Sequence, residues 1–293
     1  MKQTVLITGA GGQLGRELCL TAGSMFNCIG MDRRGLDISD PEAIVNMLRD
    51  CQADVLINAA AYTAVDKAES EPELARRVNA LAPGYLATAC AANDVRMIHL
   101  STDFVFDGEA TQPYQADSPA APVSEYGRGK LAGELAVKSV LPEALIMRTS
   151  WVYSRFGSNF VKTMLRLMSE REELGVVCDQ LGTPTWARGL AQVLWAAVQR
   201  PQLRGNYHWS DAGVCSWYDF ACAIYEEGRA TGLLNNQVAV KPIPASSYPT
   251  PAHRPAYSVL DKTNSWRDFE VEGVPWRDQL RSMLLDMKEH GNA

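Results

Sequence analysis

Thr4-Val5-Leu6-Ile7-Thr8-Gly9-Ala10-Gly11-Gly12-Gln13-Leu14-Gly15 passes from an apolar, β-branched run straight into a glycine cluster. The run predicts a buried strand over residues 4–8, and the glycine cluster opens a predicted helix over residues 12–22. Glycine at such a junction allows a tight turn, lets the backbone come close to an anion, and lets the helix lie against the strand. The first turn of the helix adds N–H groups that have no partner within the helix. A glycine cluster by itself is as often a plain turn. At a strand-to-helix junction, with Gly9, Gly12 and Gly15 spaced GxxGxxG, it reads as a pyrophosphate-binding loop.

Outward from this loop the chain keeps alternating. Strands are predicted over residues 27–31, 55–57, 95–100 and 144–148, and helices over residues 41–51, 71–92 and 124–139. Asp40 is a natural N-cap and Pro41 a natural first helical residue. The strands are almost continuously apolar, as expected of a parallel sheet covered on both faces. Residues 112–122 read as a loop. Beyond Trp151 the alternation becomes irregular, with helices predicted over residues 158–169, 186–199 and 217–227, and an extended, loop-like stretch over residues 241–255 that holds five prolines. The fold class is α/β, a Rossmann-type doubly wound parallel sheet with a smaller C-terminal substrate-binding lobe. Residues 1–150 would form the dinucleotide-binding domain and residues 151–293 mainly the substrate lobe, with later segments re-entering the first domain.

Composition narrows the function. The 293 residues include 28 Lys plus Arg and 34 Asp plus Glu, a net charge of -6, with 46% hydrophobic residues. A chain of this length buries a full core without staples, and its charge offers no uniform field for nucleic acid or an anionic membrane. Seven scattered cysteines without a CxxC pair read as free thiols of a cytoplasmic protein. The four histidines show no metal-ligand spacing. No signal peptide or membrane span is predicted.

Three further groups carry chemistry. Asp32, Arg33 and Arg34 end the second strand, where an acid favours the ribose hydroxyls of NAD and an arginine favours the 2′-phosphate of NADP. Both types are present, so the choice between NADH and NADPH stays open, as does a purely solvated turn. Asp37 and Ile38 would flank the adenine. Tyr126 and Lys130, the one Tyr-x-x-x-Lys spacing in the chain, fall on one face of a predicted helix. A phenol ordinarily has pKa ~10, and a neighbouring ammonium lowers it by stabilising phenolate, which makes Tyr126 a usable general acid. Ser101-Thr102-Asp103 closes the fourth strand at the carboxyl edge, where open parallel sheets bind ligands. There the Thr102 hydroxyl reads either as a donor to a reacting carbonyl or as a local cap.

These motifs, in this order, resemble the extended short-chain dehydrogenase/reductase superfamily. The likeness continues through the Asn58-to-Glu69 block (NAAAYTAVDKAE), Arg148-to-Tyr153 (RTSWVY), Asp179-to-Thr185 and Tyr248-to-Pro255. Within the superfamily it points to the nucleotide-sugar ketoreductases. The resemblance implies NADPH- or NADH-dependent reduction of the C4 ketone of dTDP-4-dehydro-L-rhamnose to dTDP-L-rhamnose. In that chemistry Tyr126 donates a proton, Lys130 tunes the tyrosine and holds the nicotinamide ribose, Thr102 and Asp103 contact the sugar, and Trp151 touches the substrate. Gly12, Gln13 and Leu14, with Asp32 and the Ala61-Tyr62-Thr63 segment, would line the cofactor.

The substrate's diphosphate calls for local positive charge, with Arg254 and His253 as first candidates and Lys162 and Arg188 behind them. The resemblance also implies a monomer or homodimer and, in some members, a magnesium ion held by glutamates. Glu17 matches such a position, but Arg188 stands where another acid is expected. Two other readings compete. A 4,6-dehydratase or epimerase on this scaffold would call for a second carboxylate after the catalytic threonine, and Asp103 is followed by Phe104. A non-catalytic nucleotide-binding subunit would have no use for Tyr126 and Lys130.

Overall fold

The computed structural model describes residues 2–291. The strands are β1 (Gln3–Thr8), β2 (Phe26–Met31), β3 (Val55–Asn58), β4 (Arg96–Thr102), β5 (Leu145–Thr149), β6 (Val152–Tyr153), β7 (Glu173–Val177), β8 (Leu181–Gly182), β9 (Thr185–Trp186), β10 (Gly205–Trp209), β11 (Cys215–Ser216) and β12 (Ala239–Ile243). The helices are α1 (Gln13–Thr21), α2 (Pro41–Cys51), α3 (Val65–Ala68), α4 (Pro72–Arg76), α5 (Ala82–Ala92), α6 (Glu125–Val140), α7 (Phe160–Glu170), α8 (Ala187–Val198), α9 (Trp217–Thr231), α10 (Thr263–Phe269) and α11 (Trp276–His290).

Six strands form one all-parallel sheet in the order β2-β1-β3-β4-β5-β10. Alternation along each strand divides its side chains between two layers of helices. Val5 and Ile7 of β1 pack with α1 and α8, while Leu6 packs with α2, α5 and α6. The strand order reverses between β1 and β3, and at such a switch point the loops at the carboxyl ends open a crevice for ligands. A second apolar cluster joins α7, α9 and α11 to β7 and β12.

The first five strands and the helices α1, α2 and α6 lie where the sequence places them. Asp40 caps α2 by accepting from the Glu42 and Ala43 amides at 3.0 and 3.1 Å. The short strands β6, β7, β8, β9 and β11 and the helices α10 and α11 lie outside the predicted pattern, and three further differences are specific. The long helix over residues 71–92 is interrupted by a π-helical turn at Arg77–Leu81. The stretch expected to be loop-like from residue 241 begins inside β12, which pairs in parallel with β7. The sheet's sixth strand, β10, lies outside the predicted pattern, because Gly205-Asn206-Tyr207-His208-Trp209 shows no apolar run. Its polar members find distant partners, with His208 Nδ1 3.0 Å from the Tyr114 carbonyl and Asn206 Nδ2 donating to the Ala116 carbonyl at 3.2 Å.

Candidate functional site

The glycine loop lies at the switch point. Gly9 has φ +70°, and a Cβ there would sit 2.7 Å from the Ala60 backbone; one on Gly15 would lie 2.3 Å from the Gly9 carbonyl. The loops after β1 and β3 are therefore in contact, and α1 starts directly against β1. Gly12 caps α1 without a side-chain bond and is exposed, so the helix presents its first amides to solvent. An uncapped helix start beside a glycine cradle suits a pyrophosphate. Leu14 is half-buried against the apolar core. The Gln13 side chain turns to the later part of the chain, accepting from Asn159 Nδ2 at 2.9 Å.

Asp32 is exposed and faces this loop, its Cβ 3.4 Å from where a Gly11 Cβ would be. Oδ1 accepts from the Arg34 and Gly35 amides at 2.9 and 3.0 Å, and those bonds hold the carboxyl below its ordinary value. Arg33 and Arg34 are exposed. Asp37 is exposed too and binds the Ser39 amide and hydroxyl, whereas Ile38 is a core residue beside Leu36 and Ile44. Ile38 thus supports this turn from beneath.

The Ala61-Tyr62-Thr63 segment is clamped by a residue that the sequence does not mark. Asn79, buried in the π-helical turn, accepts from the Tyr62 amide at 2.8 Å and donates to the Tyr62 carbonyl at 2.9 Å. Its own carbonyl lies where a Cβ on Gly133 of α6 would fall, only 2.2 Å away. One π turn therefore sets both the segment after β3 and the seat of α6. Nothing local singles out an asparagine within a helical pattern for that task. Asn58 and His99 are likewise unmarked. Asn58 accepts from Thr8 Oγ1 at 2.7 Å and meets His99 Nδ1 at 2.9 Å, forming a buried polar chain across β1, β3 and β4. Burial, then the Lys130 charge, drives the His99 pKa well down, so the ring is neutral.

Ser124 caps α6 by accepting from the Gly127 amide at 3.1 Å, and the helix brings Tyr126 and Lys130 to the end of β4. Both are buried. Lys130 Nζ donates to the Leu100 carbonyl at 2.7 Å, and burial lowers its pKa to about 8, with Glu134 acting in the opposite direction. The Tyr126 phenol is pushed up to about 12 by burial, eased by the Thr102 hydroxyl and reinforced by the Asp103 charge. This corrects the expectation of a phenol already lowered by Lys130. In the protein alone, desolvation sets the phenol and only the Thr102 hydroxyl opposes it, so Tyr126 is held protonated.

Thr102 donates to Asp103 Oδ1 at 3.0 Å, and its oxygen accepts from the Phe104 amide at 3.2 Å. A hydroxyl has one proton, so Thr102 can serve Asp103 or a ligand but not both. Burial raises the Asp103 carboxyl to about 6, against the Ser258 and Thr102 hydroxyls that lower it. Asp103 Oδ2 and Ser101 Oγ are buried and make no close hydrogen bond among the described residues. Such unpartnered polar groups at the sheet's carboxyl edge suit a polyhydroxy ligand.

The substrate-side candidates divide. Trp151 has φ +46° and stacks on Trp217, with ring centroids 3.5 Å apart and planes at 8°. Its ring fills the space a Gly182 Cβ would occupy. A large side chain held in the left-handed region is costly, and such strain gathers at ligand sites. Arg254 makes a bidentate pair with Asp66 at 2.8 and 3.0 Å, holding that carboxyl below its ordinary value. His253 is exposed, and Lys162 Nζ is bound to the Arg155 carbonyl at 3.0 Å.

Glu17 does not suit a metal ion. Its carboxylate is fully buried, with one oxygen accepting from Ser154 at 2.7 Å and the other from Arg188 Nε at 2.9 Å. Arg188 also pairs with Asp286 at 2.7 Å. A guanidinium therefore occupies the place where a cation would sit. No cluster of metal-ligating side chains occurs among the described residues.

Comparison with known proteins accords with this geometry. Residues 1–289 match the family described as the RmlD substrate binding domain. The chain is similar to the dTDP-4-dehydrorhamnose reductases of Burkholderia thailandensis, 43% identical with 97% of this chain and 98% of that protein covered, and of Salmonella typhimurium, 39% identical with 97% of each covered. Among solved structures it resembles the dTDP-4-dehydrorhamnose reductase of Bacillus anthracis in complex with NADP, with a TM-score of 0.92, 35% identity, and 98% and 100% of the two chains covered.

Proposed function

The chain belongs to the family of dTDP-4-dehydrorhamnose reductases that carry the RmlD substrate binding domain, and from that premise we propose what each residue of its site does. The reaction is reduction of the C4 ketone of dTDP-4-dehydro-L-rhamnose to dTDP-L-rhamnose, within dTDP-rhamnose and polysaccharide biosynthesis. A bound NADPH or NADH supplies the hydride.

The observation that carries the assignment is a protonated Tyr126 beside Thr102, one helical turn from Lys130, at the carboxyl end of β4. Thr102 and Tyr126 hydrogen-bond the ketone oxygen. As the carbonyl carbon is reduced, negative charge gathers on that oxygen, and Tyr126 donates its proton there. An alkoxide is a stronger base than a phenolate, so transfer is favourable even from a phenol near 12. Lys130 steadies the phenolate left behind and holds the nicotinamide ribose. Asp103, with Oδ2 unpartnered, accepts from a sugar hydroxyl.

The loop amides at Gln13, Leu14 and Gly15 would hold the cofactor's pyrophosphate, while the Gly12 amide donates to the Gly9 carbonyl at 2.9 Å and shapes the turn. Asp32 and Arg33 face its adenosine end, and Asn79 keeps Ala61, Tyr62 and Thr63 along its flank. Trp151 offers an apolar face to the substrate. Arg254 reaches the diphosphate by exchanging Asp66 for phosphate oxygens. Residues 1–150 chiefly serve the cofactor and residues 151–293 the sugar nucleotide, with β10 returning to the sheet. No helix among the described residues is long and apolar enough to cross a membrane, and the free cysteines suit a cytoplasmic enzyme, acting as a monomer or homodimer.

The deciding experiment adds dTDP-4-dehydro-L-rhamnose to enzyme and NADPH and follows the reduced-nicotinamide absorbance. The expected result is substrate-dependent loss that Tyr126→Phe suppresses. Equal oxidation by that variant removes Tyr126 from the mechanism.

A further inference from the structure

Two thiols that the reaction does not use meet outside the site. Cys19 lies on the exposed side of α1, Cys28 is half-buried on β2, and the Cys28 thiol donates to the Cys19 sulfur across 3.9 Å. Gly30, two residues further along β2 and on the same face as Cys28, makes this approach possible. A Cβ there would lie 2.8 Å from Cys19 Sγ, so any side chain at position 30 would displace the thiol. We propose that Cys19 and Cys28 form a modification site, a dithiol that hydroperoxides oxidise to an intramolecular disulfide.

The chemistry proceeds in two balanced steps. The Cys19 thiolate attacks the O–O bond of a hydroperoxide, giving a Cys19 sulfenic acid and, after protonation, one molecule of alcohol or water. The Cys28 sulfur then attacks the sulfenic sulfur, the S–O bond breaks, and the oxygen leaves as water with the Cys28 proton. In sum, two thiols lose two electrons and two protons, and the peroxide is reduced.

Each cysteine has a distinct part. Cys19 is accessible, and the hydrogen bond from Cys28 lowers its pKa, which favours the reactive thiolate there. Cys28 is shifted upward by the same hydrogen bond, and by burial, so it stays a thiol and acts as the resolving partner. A disulfide is about 2.05 Å long, so closure requires the sulfurs to approach by about 1.9 Å. The exposed Cys19 side chain can supply that movement by rotation. Cys178 is exposed without such a thiol partner at hydrogen-bonding distance among the described residues, and so provides an internal reference.

The test treats the full chain with a few equivalents of hydrogen peroxide, blocks the remaining thiols by alkylation, and maps the peptides by mass. The expected result is loss of two of the seven thiols, a Cys19–Cys28 linkage reversed by dithiothreitol, and Cys19 reacting about tenfold faster than Cys178. Cys28→Ser should stop the reaction at a Cys19 sulfenic acid that dimedone traps, and Cys19→Ser should leave Cys28 reduced. Faster oxidation of Cys178, a linkage between chains, or an unchanged product with Cys28→Ser would each overturn the proposal. Both variants are expected to retain reductase activity, because neither residue belongs to the site, and that activity confirms that they are folded.

Discussion

At the scale of the residue, burial decides the chemistry of the site. Tyr126 is kept protonated by its surroundings, so removing its hydroxyl should remove proton transfer and little else. Tyr126→Phe is expected to lower kcat about 10²- to 10⁴-fold with cofactor affinity unchanged, checked by steady-state kinetics and fluorescence titration of NADPH. Asp103 shows what such a site costs. Its pKa rises from the ordinary 3.8 to about 6 on folding, so the folded protein binds that proton more tightly than the unfolded chain. The associated stability is present below pH ~4 and lost as pH rises through ~6, about 3 kcal/mol in all. Asp103→Asn should therefore raise the unfolding midpoint at pH 7–8, lose that advantage near pH 4, and impair turnover. A gain that does not depend on pH would refute this account. On the cofactor side, Asp32 commits Oδ1 to its own turn while Arg33 is exposed to solvent. Arg33→Ala should weaken NADPH more than NADH in paired titrations, and equal weakening would show that Arg33 does not read the 2′-phosphate.

At the scale of the element, legibility depends on locality. β1, β3, β4 and β5 are apolar runs, and Tyr126 with Lys130 is a spacing on one helix, so both can be read without the fold. β10 escapes because the partners of His208 and Asn206 Nδ2 are the Tyr114 and Ala116 carbonyls, some ninety residues away. The π turn escapes for the same reason, since Asn79 has a task only once Tyr62 and Gly133 surround it. Site residues obey the same rule: Arg254 is legible as a cation, but its pairing with Asp66 is not. The close seat of α6 is itself testable. Gly133→Ala puts a methyl 2.2 Å from the Asn79 carbonyl, and a backbone oxygen cannot yield as a flexible side chain would. The expected cost is about 1–3 kcal/mol, read as a lowered urea midpoint, with a fall in kcat because Tyr126 and Lys130 ride on the displaced helix. An unchanged midpoint and kcat would mean that α6 tolerates the shift.

At the scale of the whole molecule, a net charge of -6 coexists with two phosphate-bearing ligands because charge is arranged locally. On the proposed reading the glycine loop would meet one anion with backbone amides, and several arginines, among them Arg148, Arg188 and Arg254, are held in ion pairs. One such arrangement joins distant parts of the chain: Glu17 of α1, Arg188 of α8 and Asp286 of α11, with Arg155 also 3.0 Å from Asp286. Glu17 is fully buried, so its carboxylate has lost its water and depends on Arg188 and Ser154 in exchange. Removing the guanidinium alone strands that charge, at a cost of about 3–5 kcal/mol, whereas removing both charges together does not. Arg188→Met should thus lower the urea midpoint markedly, and adding Glu17→Gln should restore part of the loss rather than deepen it. The double-mutant cycle measures this directly. Simple additivity of the two losses would mean that Glu17 and Arg188 act independently, and that the buried pair does not fasten α1, with its cofactor loop, to the helix behind it.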